Sequence, residues 1–156
     1  TRTYHCFYHQ KMIRTPNTQK EWDEYYQLRY QVLRAPWNQA IGSERNEGDE
    51  TAQHFAFFEE GKIIGVGRLD YMSEVIAQVR FMAIAGNRQG EGIGKKLMQH
   101  MEEIAVETGR TELILHAREI ALPFYKNLGY TITEKSHLLF GEIQHYLMRK
   151  NHESIC

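Results

Sequence analysis

An apolar run from Phe81 to Ile84 passes through Gly86 and then Gly90, Gly92 and Gly94 into a segment whose apolar residues Ile93, Leu97, Met98, Met101, Ile104 and Ala105 recur at spacings of three and four. That order predicts a strand, a tight turn and the start of an amphipathic helix. Glycine at alternate positions removes the Cβ where the chain turns sharply, and it leaves main-chain N–H groups bare at the positive end of the helix macrodipole. Such a terminus binds phosphate. Gly109 is placed to cap the far end of the helix.

The spacing decides which phosphate ligand is meant, and two common glycine-loop rules fail. A P-loop needs glycine five residues before the Gly-Lys pair and then Ser or Thr for magnesium, but Gln89 and Lys96 stand there. A dinucleotide fingerprint needs Gly-x-Gly-x-x-Gly, whereas this chain has Gly90-x-Gly92-x-Gly94, and no acidic residue ends the next apolar run, Leu113 to Leu115, to take a ribose hydroxyl.

At 156 residues the chain has the length of one compact domain, and it closes a core without staples; we expect a single domain over 1–156, with 1–10 as an N-terminal extension. A net charge of -1 argues against general nucleic-acid affinity, and there is no basic run for a polyanion. Cys6 and Cys156 have no repeated spacing, so neither a disulfide framework nor a zinc motif is expected, and no metal site is expected elsewhere. No apolar run approaches the roughly twenty residues that span a bilayer, and the start lacks a signal peptide's apolar stretch. The expectation is a cytoplasmic protein with no membrane partner. The missing initiator Met leaves room for a segment removed upstream.

Met12 to Arg14 is the first expected strand. Thr18-Gln19-Lys20-Glu21 has the form of a capping box, and Trp22, Tyr25, Tyr26, Val32 and Leu33 fall near one face of a helix that ends before Pro36, an aromatic stripe expected in the core. Gly42 to Thr51, with Glu44, Glu47, Asp49 and Glu50, has loop composition and reads as a solvated connection, or else as an acidic lure for an amine. His54 to Phe58 and Lys62 to Asp70 form a hairpin about Glu59-Glu60-Gly61; a second turn at Tyr71 to Glu74 returns as Val75 to Ile84. The continuous apolar run Leu113 to Leu115 should be a strand buried on both faces and parallel to the one before the glycine turn, through a right-handed crossover. Pro123 fits only near a helix start, so a helix is expected from about Glu119 to Leu128 with Gly129 at its end, followed by strands at Tyr130 to Thr133 and Ile143 to Arg149.

Gln89-Gly90-Glu91-Gly92-Ile93-Gly94 meets the pattern Gln/Arg-x-x-Gly-x-Gly/Ala, and Ala121 to Tyr130 carries Phe124-Tyr125 closed by Leu128-Gly129-Tyr130. On these two signatures, in this order and separated by one strand, the chain resembles the GNAT superfamily of acyl-CoA-dependent N-acyltransferases. The resemblance implies an α/β mixed sheet with antiparallel N-terminal strands, a central parallel pair splayed around the CoA site and helices on both faces. Acetyl-CoA is the implied cosubstrate, its pyrophosphate on the amides of Gln89, Gly90, Gly92, Ile93, Gly94 and Lys95, and its pantetheine arm paired with Met82, Ala83 and Ile84. One of those amides would donate to the oxyanion. Tyr125 is the implied proton donor to the departing sulfur.

The resemblance leaves the general base open. His116 ends the strand beside the groove, and in GNAT topology the last strand inserts next to it, bringing Glu142 and His145 into the same region; a histidine suits such work because it titrates near neutrality. Arg118 stands where many family members carry Asn against the pantetheine region, and it is offered instead to the CoA phosphates. Arg34 to Asn38 becomes a candidate wall of the acceptor site. The implied reaction is direct attack by a primary amine of a small molecule or peptide in a ternary complex, by a monomer or a homodimer. The alternative is an acyl-CoA-binding sensor or interaction module of the same fold without catalysis.

Overall fold

A computed structural model describes residues 11–152; both cysteines and the expected N-terminal extension lie outside them. Seven strands form a mixed sheet in the order β1-β2-β3-β4-β5-β7-β6, with β4 and β5 its parallel pair. By packing, the described chain falls into two compact units: one holds the residues up to Leu69 and Phe81–Met101, the other Asp70–Arg80 and the residues from Glu102 onward.

The first unit begins with β1 (Lys11–Arg14), antiparallel to β2 (Gln53–Glu59). Helix α1 (Gln19–Leu33) starts at Thr18, whose hydroxyl accepts from the Glu21 amide at 3.1 Å. Only half of the expected box forms. The Glu21 carboxylate accepts instead from the Asn17 amide (2.9 Å) and from both terminal nitrogens of Arg14 (2.9 and 2.7 Å), because a charged guanidinium is a stronger donor than an amide. The helix ends before a 3-10 turn at Ala35–Trp37, as Pro36 requires.

Strand β2 turns into β3 (Lys62–Tyr71) through Glu60 and Gly61, both at positive φ (52° and 78°), the geometry of a two-residue hairpin turn. Phe57 pairs with Gly65 but Phe58 with Ile63, so Ile64 is the extra residue of a bulge. Consequently Ile63 and Val66 join Ala56 and Phe58 under Tyr25 and Leu28 of α1, while Phe57 and Ile64 pack on the opposite face against Ile93. The aromatic stripe is core, as expected: Trp22, Tyr26, Val32 and Leu33 pack against that same cluster. Ile93 opens α2 (Ile93–Glu107), so the two helices cover opposite faces of the sheet.

The acidic stretch 42–51 is not the solvated connection expected. Asn46 caps a 3-10 turn at Glu47–Glu50, and Glu44 and Asp49 are both turned inward. Asp49 sits against Arg29 of α1 and Arg68 of β3, each at 2.9 Å, and both guanidiniums are essentially buried. Tyr25 and His54 extend the cluster: the His54 Nδ1 lies 2.8 Å from the Tyr25 hydroxyl, and its Nε2 donates to the Asp49 carbonyl at 2.7 Å. Charge runs usually face water, but here two buried cations need a carboxylate.

In the second unit the first half of β4 (Ile76–Ile84) pairs in parallel with β5 (Glu112–Arg118). Leu113, Leu115 and Ala117 are buried but His116 is exposed, so β5 alternates rather than being buried on both faces. Its even-numbered residues include His116 and Arg118, whose polar heads keep that face open. After a 3-10 turn at Glu119–Ala121 comes α3 (Leu122–Asn127), with Pro123 in its first turn and Gly129 at φ 97° beyond its end. Strands β6 (Thr131–Leu139) and β7 (Ile143–Asn151) form the last hairpin, and β7 lies antiparallel between β6 and β5. Among the described residues no helix is long and apolar enough to cross a membrane.

Candidate active site

The glycine turn belongs to the first unit. Gly90 and Gly92 hold φ of 83° and 80°, a region that costs an L-residue roughly 1–2 kcal/mol. A Cβ built on Gly86, Gly90 or Gly92 would meet no atom within 4 Å, so the turn is not closed off by neighbouring side chains. Gly92 is also the start of the helix ladder, its carbonyl accepting from the Lys96 amide at 3.1 Å. The first turn of α2 holds no acidic residue and carries Lys95 and Lys96. Lysines at the positive end of a helix oppose the macrodipole, and an anion bound there relieves that conflict. Arg88 steadies the turn by donating to Glu91 (2.9 and 3.1 Å) and pairing with Glu59. A cleft of about 650 Å³ opens beside it, between Gly86, Asn87 and Gln89 on one side and Gln27, Gln31 and Pro36 on the other. Pro36 is the member of the expected acceptor wall that reaches this cleft.

Upstream of the turn, the parallel pairing of β4 with β5 covers Ile76–Val79 against Glu112–Leu115 and stops there. Phe81, two residues further, has φ 54° in mid-strand, and the Arg29 and Arg68 guanidiniums lie over its ring at 4.4 and 5.0 Å. A phenylalanine keeps a left-handed backbone only where its surroundings hold it. Met82, Ala83 and Ile84, the segment expected to pair with the pantetheine arm, follow this break. The Ala83 side chain is fixed in the core under α1, and Ile84 packs with Phe57, Ile64 and Ile93.

The second unit carries the groups expected to do chemistry. Tyr125 is buried, its ring edge-on to Phe124 (4.9 Å) and Tyr130 (6.0 Å), yet among the described residues no group hydrogen-bonds to its hydroxyl. Its neighbour Tyr130 differs, donating to Glu102 at 3.0 Å. A core tyrosine normally satisfies its hydroxyl, so Tyr125 holds a donor in reserve. Burial pushes its pKa up to about 12, against the opposing charge of Arg118, so the phenol keeps its proton at neutral pH.

His145 lies on β7 directly across from Arg118 on β5 and is 7% exposed. Its Nδ1 is 2.9 Å from the Ile143 carbonyl. A carbonyl only accepts, so Nδ1 carries the hydrogen and the lone pair of the neutral ring is on Nε2. Burial lowers its pKa; the Ile143 carbonyl opposes this, while His137, Arg118 and His116 add to it. His116 is exposed and has Nδ1 3.0 Å from the Ser136 hydroxyl, a partner that fixes no tautomer; burial, then His137 and Arg80, lowers its pKa against Glu134. Glu142 lies in the β6–β7 turn, exposed, with its amide donating to the Leu139 carbonyl.

His137 was missed in the sequence. Its ring stacks on His145 at 4.3 Å and 18°, and lies 5.3 Å from His116. His137 lies where the β6–β7 register shifts, between Lys135↔Tyr146 and Leu138↔Gln144, so alternation along the strand gives no sign of the stack. Among the described residues no group of three or more His, Cys, Asp or Glu side chains is placed to hold a metal ion, and the histidine stack is no exception.

The profile of the acetyltransferase (GNAT) domain matches residues 19–152. The chain is 26% identical over 141 residues to the uncharacterized N-acetyltransferase YjcF of Bacillus subtilis, covering 90% of this chain and 99% of that one. Its fold is similar to that of an aminoglycoside 6'-N-acetyltransferase complexed with coenzyme A, at TM-score 0.75 and 16% identity over 91% of this chain and 96% of that one. It is also similar to the ribosomal-protein-S18-alanine N-acetyltransferase of Escherichia coli, at TM-score 0.70 and 15% identity over 92% and 94% of the two chains. With the profile spanning the glycine turn, the Phe124-Tyr125 helix and the last hairpin, the chain belongs to the GNAT acetyltransferases.

Proposed function

We propose that this chain moves an acetyl group from acetyl-CoA to a primary amine of a small molecule or a peptide. The observation that carries the reading is the open glycine turn at the start of α2, where Gly90 and Gly92 sit at positive φ and no atom of the described residues outside the turn comes within 4 Å of where a Cβ would be. Amides of Gln89, Gly90, Gly92, Ile93, Gly94 and Lys95 bind the pyrophosphate, and the helix dipole adds to their pull. Met82, Ala83 and Ile84 offer main-chain groups to the pantetheine arm beyond the point where β4 leaves β5. The two structural neighbours support the acceptor class, since their names place an aminoglycoside amine and an alanine amine in the acceptor role.

The amine attacks the thioester carbonyl as a free base, a main-chain amide of the Met82–Ile84 segment donates to the oxyanion, and the C–S bond breaks with its electron pair on sulfur. Tyr125 acts on that sulfur. A thiol ionises near about 8.5, so a phenol at about 12 does not surrender its proton to the thiolate; it stabilises the leaving group as a hydrogen-bond donor. His116 and His145 are the candidate bases, and the fixed tautomer of His145 favours it.

Calorimetry with acetyl-CoA, CoA, ATP and NAD tests the binding half, and thiol release from acetyl-CoA with a panel of amines and peptides tests the transfer half. Preference for CoA species with amine-dependent thiol release is expected. Tight CoA binding with no release for any acceptor would point to a sensor of the same fold, and preference for ATP or NAD would end the reading.

A further inference from the structure

Imidazoles from three neighbouring strands meet at one place in the second unit: His116 from β5, His137 from β6 and His145 from β7. We propose that His137 is a positioning residue that holds the His145 ring in place and uncharged, leaving its Nε2 lone pair to take the proton from the acceptor amine. The second half of this rests on the acetyl-transfer reading; the first half does not.

The geometry argues for this division of labour. His145 is almost fully buried, its Nδ1 tied to the Ile143 carbonyl, so its tautomer is set by its own strand. His137 is exposed and lies flat on it, 18° from parallel with the ring centroids 4.3 Å apart. Two imidazolium rings at that separation repel strongly, and the stack also shields one face of His145 from water. Arg118 of β5 is directly across from His145, His116 is on the same strand, and Arg80 of β4, which pairs with Asp70 at 3.8 Å, and Glu134 of β6 act on His116. Protonation of His145 would set a positive charge across from Arg118 and against the His137 ring.

In the step itself the acceptor nitrogen gives one proton to Nε2 and bonds to the acyl carbon, while the C–S bond breaks and sulfur leaves with the pair. The proton on His145 returns to water, which in turn protonates the thiolate, so the products are an amide, free thiol and a neutral ring. His116 cannot take this role equally well, because its hydroxyl partner leaves either nitrogen protonated.

NMR titration of the histidine side chains, with the His145 signal assigned through His145→Gln, tests the proposal alongside the pH profile of kcat/KM. In His137→Ala the His145 midpoint should rise by about half a pH unit or more, and the acid limb of kcat/KM should move up with it. His137 is exposed on its strand, so the variant is expected to fold, and the same spectra check that. An unchanged His145 midpoint overturns the proposal, and a raised midpoint with an unmoved limb removes His145 as the base. If no acceptor is acetylated by the unaltered chain, the transfer reading has failed, and the titration alone decides whether His137 governs His145.

Discussion

The Asp49 carboxylate lies 2.9 Å from Arg29 and 2.9 Å from Arg68, two guanidiniums that are 0% and 1% exposed. One anion thus serves two buried cations, drawn from a loop, a helix and a strand. Removing its charge takes a carboxylate partner from both, so Asp49→Asn should cost about 3–5 kcal/mol in urea unfolding, far more than a surface ion pair. Desolvation raises the Asp49 pKa, but the Arg29 charge and the hydrogen bonds from Arg29, Asn46 and Arg68 outweigh it and leave the value lowered. A lowered carboxylate contributes stability that is complete above its unfolded value of about 4 and is lost as pH falls through the folded value. Acid unfolding below about pH 4 should therefore be shallower in Asp49→Asn. An equally steep transition would show that other carboxylates dominate.

Tyr125 and Tyr130 make a matched pair of tests. Both are buried, but among the described residues only Tyr130 has a partner for its hydroxyl, the Glu102 carboxylate that also accepts from Lys150 at 2.9 Å. Tyr130→Phe strips a hydrogen bond from a buried charge and should cost about 1–3 kcal/mol. Tyr125→Phe removes a donor that no described residue accepts from and should leave Tm within about a degree or two, while lowering kcat about tenfold or more and leaving acetyl-CoA affinity within about twofold. Equal turnover in Tyr125→Phe would take this residue out of the mechanism.

Gly92→Val places a β-branched residue at φ 80° in a turn with free space around it, so the penalty is conformational rather than steric crowding. The turn is expected to relax away from its present path. Affinity for CoA should fall about tenfold or more by calorimetry while the circular dichroism spectrum is retained, because the turn is exposed. Unchanged affinity would dislodge the pyrophosphate from this site.

What could be read in the sequence is what local chemistry enforces. The glycine turn, the two hairpins and the parallel pair came from residues whose backbone limits or periodicity leave few choices, and each stands where expected; the helix expected from about Glu119 begins only at Leu122, with Pro123 in its first turn, after a 3-10 turn. The inward turn of Asp49 was illegible because its partners are 20 and 19 residues away in sequence, and a charged loop gives no hint that a helix and a strand bury arginines behind it. Phe81 is a similar case: nothing in an apolar strand announces a left-handed residue, which is imposed by packing against Arg29 and Arg68. His137 lay between these extremes. It sits at an irregularity of the β6–β7 ladder, and the strand was expected to end at Thr133, short of it.

His152 follows β7, is 1% exposed, and has no hydrogen-bond partner on either ring nitrogen among the described residues. Its amide, by contrast, donates to the Thr111 carbonyl at 2.7 Å, so the backbone pins the ring in place. Burial lowers its pKa, Glu102 opposing and Lys150 reinforcing the shift. The sign is then fixed: as pH falls below the unfolded value of about 6.5, the unfolded chain binds a proton that the folded chain resists, and stability drops until the folded value is reached. His116, His145 and His54 are lowered as well and add to the same slope. His152→Leu isolates one contribution. It removes two unsatisfied buried nitrogens, so Tm at pH 7.5 should stay level or rise, and the loss of Tm between about pH 7 and 5 should become shallower than in the unaltered chain. A slope that does not change would mean that His152 finds a proton acceptor in solution, and that the burial seen here does not govern its titration.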